Sequence, residues 1–199
     1  LKDNNKLRYY NKYLQGKITR EELYSLVTQE LLESVINEKM SDKTIRKVFE
    51  KVDNLIGEKS VDVIIGGPPC QAYSLVGRAV KEDNMDGDER NYLYKQYCKF
   101  LKRYQPKMFV FENVPGLLTA KNGKHFANLK KYLEHVGYKL DYRELNAKNF
   151  GVLQNRRRII IIGWKAEYDG EYFYPQFEDV PHNFIVNDLL EDLPSIQAG

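Results

Sequence analysis

Apolar positions along this chain follow two different periods. Up to residue 60 they recur every three or four residues, first as Leu23, Leu26, Val27, Leu31 and Val35, then as Ile45, Val48, Phe49, Val52, Leu55 and Ile56. That spacing predicts two amphipathic helices. Thr19 with Glu22 three residues later makes a capping-box pattern for the first, Ser41 or Asp42 can cap the second, and Gly57 stands where a left-handed residue ends a helix.

From residue 61 the pattern changes. "VDVIIGG" is a short β-branched run closed by glycines, which suits a strand buried on both faces of a parallel sheet. Leu93, Tyr97, Phe100, Leu101 and Tyr104 then share a helical face, and Pro106 limits that helix. "KMFVFENVPG" predicts a second strand, "HFANLKKYLEHVGY" a second helix with Phe126, Leu129, Leu133 and Val136 inward, and "YKLDYREL" and "RRIIIIGWK" two more strands. The alternation implies an α/β fold, an open, mostly parallel sheet with flanking helices, the last two strands forming an antiparallel edge because no helix separates them. Three regions follow: a helical segment over 1–60 packed on the core, an α/β core over 61–165, and a stretch over 166–199 holding an aromatic, acidic loop and a short helix at "VNDLLEDL".

Composition narrows the reading only a little. The formal net charge of +3 in 199 residues is nearly balanced, so a nucleic-acid face must be local, with Arg156, Arg157 and Arg158 as the obvious place. Two cysteines, Cys70 and Cys98, and three scattered histidines give no disulfide framework and no metal site. No signal segment and no long apolar run is present, which predicts a soluble intracellular protein without a membrane partner.

Three features could carry chemistry. Cys70 follows "GGPP" at a strand end; as a lone thiol it reads as a small buried hydrophobe, but two glycines that permit a sharp turn and close ligand approach, and two prolines that stiffen the loop, favour an aimed nucleophile. Such a thiol needs nearby positive charge to ionise, and the arginine run can supply it, although a solvated basic turn is the plainer reading of that run. Glu112 ends the apolar "MFVFE"; it is either functional, with burial raising its pKa, or the cap of the "NVPG" turn. Pro69, Cys70, Glu112 and Asn113 all fall at carboxyl ends of strands, where open α/β sheets bind ligands.

Taken together and in order, "GGPPCQAYS", "FENV" and "QNRRR" resemble the DNA cytosine-5 methyltransferase family, with its Pro-Cys-Gln loop, Glu-Asn-Val triplet and Gln-x-Arg-x-Arg run. The resemblance is strong over Val61 to Gly163. It implies a Rossmann-like S-adenosylmethionine-dependent methyltransferase fold, double-stranded DNA as partner, S-adenosylmethionine as methyl donor, and a cytoplasmic enzyme of bacterial or phage type, as in restriction-modification. By it, Cys70 adds to C6 of a flipped cytosine, Glu112 contacts N3 and the amino group, and Arg156 and Arg158 surround O2. Gln71, Ser74, Asn113 and Gln154 become substrate-binding candidates, and Pro69 and Leu93 neighbours of the cofactor's adenine. The residues from Gln71 to about Gly87, with Arg78 and Lys81, match the family's mobile loop.

The family's Phe-x-Gly-x-Gly turn does not precede Val61; residues 166–199, with "VNDLLEDLPSIQAG", resemble the linker that leads toward its target-recognition domain, and neither that domain nor its closing motifs follow. The expectation is therefore an incomplete catalytic domain that alone binds S-adenosylmethionine weakly. A non-catalytic nucleic-acid-binding remnant and the same chemistry on tRNA remain open alternatives. For the segment before Val61, packing and DNA-backbone contact through Lys39, Lys43, Arg46 and Lys47 also both stay open.

Overall fold

A computed structural model describes residues 4–69, 93–120, 122–180, 185 and 188. The chain divides into two compact units, Leu1–Lys59 and Ser60–Gly199.

The first unit is helical, with α1 at Asn4–Leu14, α2 at Arg20–Ser25, α3 at Gln29–Glu33 and α4 at Ile45–Ile56. The capping box forms as its residues dictate: Glu22 N–H donates to Thr19 Oγ1 at 3.1 Å, and Thr19 N–H to Glu22 Oε2 at 2.7 Å. The single helix expected to run on through Val35 is instead broken in two. Thr28 adopts an extended backbone between α2 and α3, in a stretch of β-branched and hydroxyl residues that hold a helix weakly. α4 begins after Thr44, which exchanges hydrogen bonds with Ser41, and ends at Gly57 with φ +61°. Two of its basic residues are engaged within the unit, Lys47 with Glu38 at 2.7 Å and Arg46 with Glu50 at 3.4 Å.

The second unit holds a four-stranded sheet. Its elements are β1 (Val63–Gly66), α5 (Leu93–Tyr104), β2 (Met108–Asn113), α6 (Gly116–Thr119), α7 (Lys124–His135), β3 (Tyr138–Asn146) and β4 (Arg157–Lys165), with strand order β1-β2-β4-β3. β1 and β2 are parallel, whereas β4 lies antiparallel to both β2 and β3. The antiparallel strand is thus β4, inserted between β2 and β3, and β3 takes the edge. Pro106 ends α5 as expected, with Gln105 turning to φ +46° and its side-chain amide donating to the Leu101 and Lys102 carbonyls.

Strand alternation sorts the core into two layers. On one face Phe109, Phe111, Ile159 and Ile161 are buried with Tyr97, Cys98 and Leu101 of α5 and Leu129 and Leu133 of α7. Gly163 sits on this face because the Phe109 ring occupies the space where a side chain would begin. On the other face Ile162 and Trp164 pack with Tyr174, Met108, Val110 and Ile160. β1 departs from the doubly buried strand expected, since Ile65 is 77% exposed. The β-branched run reflects its strand geometry and not coverage on both faces. The short helix expected at "VNDLLEDL" falls largely outside the described residues, and among those described no helix is long and apolar enough to cross a membrane.

Candidate active site

β1 and β2 run parallel, so their carboxyl ends and the residues after them lie together. The Tyr97 hydroxyl, from α5, bonds the carbonyls of Ile64 in β1 and Val110 in β2, each at 3.0 Å, and ties the two strands just before those ends. Burial of this phenol pushes its pKa up, so it stays a neutral donor.

Neither Gly66 nor Gly67 adopts a left-handed backbone. The chain's own side chains use the space beside them. A Cβ on Gly66 would lie 2.7 Å from the Tyr97 ring, and one on Gly67 would lie 2.9 Å from Oε2 of Glu112.

Glu112 stands one residue before the end of β2, directly paired with Ile160 of β4. Side chains two residues apart share a strand face, so this register brings Arg158 to the face that carries Glu112. Arg158 Nε lies 2.7 Å from Glu112 Oε1, and Arg156 Nη2 approaches the same oxygen at 3.9 Å. Arg157, between them, points to the other face and pairs with Glu144 of β3. The three arginines are therefore not one solvated basic turn. The Arg158 side chain is 25% exposed and Arg156 48%. Glu112 is 40% exposed and ion-paired, which differs from the apolar burial anticipated for it.

Asn113 is 3% exposed. Its Nδ2 donates to the Pro68 carbonyl at 3.2 Å and its Oδ1 accepts from Val114 N–H at 2.8 Å. Both ends of the amide thus bind backbone, and the residue anchors the chain two positions before Cys70. Gln154 contributes to the approach to β4 through its backbone: its N–H donates to the Val152 carbonyl at 2.7 Å and its carbonyl accepts from Arg156 N–H at 3.0 Å, while its side chain is exposed. Pro69 is exposed after β1, and Leu93 is half-buried at the start of α5. Cys70, Gln71 and Ser74 lie outside the described residues, as do Arg78 and Lys81.

The candidates brought together are thus Glu112, Arg156 and Arg158, with Gly67, Pro68 and Asn113 beside them. The Tyr97 tie between β1 and β2 and the close approach of Glu112 to Gly67 were not apparent from the motifs alone. The signal available for them was a glycine pair at the end of a strand and an aromatic residue in mid-helix.

Comparison with known proteins concerns the chain as a whole. The profile of the C-5 cytosine-specific DNA methylase family matches residues 16–197. The type II methyltransferase M.Bpa9945I of Bacillus paralicheniformis is 41% identical over 152 residues, covering 69% of this chain and 33% of that protein. M1.HphI of Haemophilus parahaemolyticus, also a type II methyltransferase, is 41% identical over 150 residues, covering 74% and 39%. Among solved structures, a protein described as a DNA modification methyltransferase encoded within an E. coli prophage superposes with a TM-score of 0.53 at 27% identity, over 79% of this chain and 40% of that one. The chain spans between about a third and two fifths of the length of the curated relatives it matches.

Proposed function

Because the chain belongs to the C-5 cytosine-specific DNA methylase family, we propose that the protein carrying it methylates C5 of cytosine in double-stranded DNA, with Cys70 as nucleophile, in the manner of a restriction-modification enzyme. The observation that carries this reading is the Glu112–Arg158 pair at 2.7 Å, set at the end of β2 beside the chain that leads into Cys70.

In this reading the target base leaves the duplex, since C6 cannot be attacked while it is stacked. The Cys70 thiolate adds to C6, and the ring electrons move toward C5. Glu112 holds N3 and the exocyclic amino group through its carboxyl, and Arg158 both fixes that carboxyl and reaches toward O2, where negative charge develops. Arg156, the more exposed guanidinium, supports the same oxygen of Glu112 and adds positive potential around the base. After methylation at C5, the C5 proton passes to a base or water, the electrons of the C5–H bond restore the C5–C6 double bond, and the C6–sulfur bond breaks to release Cys70 as a thiolate.

When bound, S-adenosylmethionine supplies an activated methyl group. The residues present fit one side of its site: Pro69 is exposed after β1, Ile65 leaves apolar surface on that strand, and Leu93 is half-buried at the first turn of α5. The proposed setting is the cytoplasm, and the two curated relatives named above are bacterial.

The test is covalent trapping. Duplex DNA with 5-fluorocytosine at the target, incubated with the full-length protein and S-adenosylmethionine, gives a denaturation-stable protein–DNA adduct that Cys70→Ala abolishes. Failure of the intact protein to form an adduct contradicts the assignment.

A further inference from the structure

Glu112 presents its two carboxylate oxygens to different neighbours. Oε1 receives both guanidinium groups, at 2.7 and 3.9 Å. Oε2 lies against the bare backbone of Gly67, where a Cβ would come within 2.9 Å of it and 3.4 Å of the Glu112 carbonyl oxygen. Gly67 is not in a left-handed conformation, so its backbone does not require glycine. The requirement lies in the space beside it.

We propose that Gly67 is a positioning residue for the methyl-transfer reaction, its missing side chain forming the seat that fixes the plane of the Glu112 carboxyl. The proposal rests on the functional reading above. A methyl group at position 67 has to displace Oε2, the far end of a side chain able to rotate, so the fold tolerates it. Rotation also carries Oε1 away from Arg158, and the carboxyl no longer meets the base in the plane in which N3 and the amino group present themselves. Misplacement of a reacting group by about 1 Å costs on the order of a hundredfold in rate.

Gly66 supplies the contrast one residue earlier. A Cβ there meets the Tyr97 ring at 2.7 Å, and that ring belongs to the buried core and carries the hydroxyl that ties β1 to β2. Gly66 serves the fold, and Gly67 serves Glu112.

The experiment uses the full-length protein with Gly67→Ala, Glu112→Ala, the double variant and Gly66→Ala. Gly67→Ala is expected to lower kcat between about tenfold and a hundredfold, with S-adenosylmethionine affinity and melting temperature close to wild type. In the Glu112→Ala background the same change is expected to alter kcat less than about twofold, because contacts acting through one group are not additive. Gly66→Ala is expected to lower the melting temperature. Equal losses from Gly67→Ala in both backgrounds, or wild-type kcat in the single variant, would overturn the proposal. A crystal structure of Gly67→Ala gives a readout independent of turnover: separation of Glu112 Oε1 from Arg158 Nε beyond hydrogen-bond reach, about 3.2 Å, supports the seat, and an unchanged contact overturns it. A wild-type protein without methyl transfer refutes the functional reading, and the crystallographic comparison still decides the seat.

Discussion

Arg158 Nε and Glu112 Oε1 meet at 2.7 Å across two antiparallel strands, at the end of the sheet where Asn113 anchors the chain leading to Cys70. A pair this accessible adds little to stability, about 0–1 kcal/mol. In the proposed reaction its worth lies in orienting a carboxyl and placing positive charge. Arg158→Ala is therefore expected to leave the melting temperature within a few degrees of wild type while lowering kcat by roughly a hundredfold or more, the scale for loss of a preorganised charge-stabilising donor. Thermal unfolding and a methyl-transfer assay on the same preparation check the split.

Asn113 should behave differently. Its amide is buried and its bonds go to the Pro68 carbonyl and Val114 N–H. Asn113→Ala leaves both backbone groups without that partner, and a destabilisation of about 1–3 kcal/mol is expected by denaturant titration.

Gly163→Ala is expected to be the more damaging glycine substitution. Its Cβ would fall 2.1 Å from Cε1 of Phe109, a fully buried ring packed edge-on to Tyr138 and Tyr97. With no room for the ring to retreat, a loss of at least about 2 kcal/mol is expected. Phe109→Leu combined with Gly163→Ala should recover part of it, as equilibrium unfolding of the double variant will reveal.

Alkaline pH should weaken the fold. Burial pushes the Cys98 thiol up to about 12 and also raises the Tyr97 and Tyr138 phenols. An acid whose folded pKa is raised binds more protons in the native state once the unfolded chain begins to ionise, so stability falls as pH rises. For Cys98 the window runs from the ordinary thiol range near 9 to about 12. Denaturant midpoints are expected to decline between pH 9 and 11, and alkylation of native protein at pH 8 should spare Cys98.

Much of this was readable from residue order. The run "RRIIIIGWK" became β4 at Arg157–Lys165 without adjustment, and the stripe through Leu129 and Leu133 became the buried face of α7. The exposure of β1 was not readable, because a β-branched run forms a strand whether or not anything covers both faces. The union of Glu112 with Arg158 was also hidden. It depends on β2 pairing with β4 in one register, and a slip of one residue would turn Arg158 to the opposite face. Arg156, Arg157 and Arg158 read as one basic run, yet strand alternation sends Arg157 to Glu144 and the other two to Glu112. The glycine pair showed that space was needed at the end of β1 but not what would fill it.

The most direct test of the central claim follows the hydrogen on C5 of the target base. Duplex DNA tritiated at C5 of cytosine, turned over by the full-length protein with S-adenosylmethionine, should release tritium to water in step with methylation, and Cys70→Ala should release none. Methylation without tritium release would place the new methyl group elsewhere, on an exocyclic amine for example, and contradict the account.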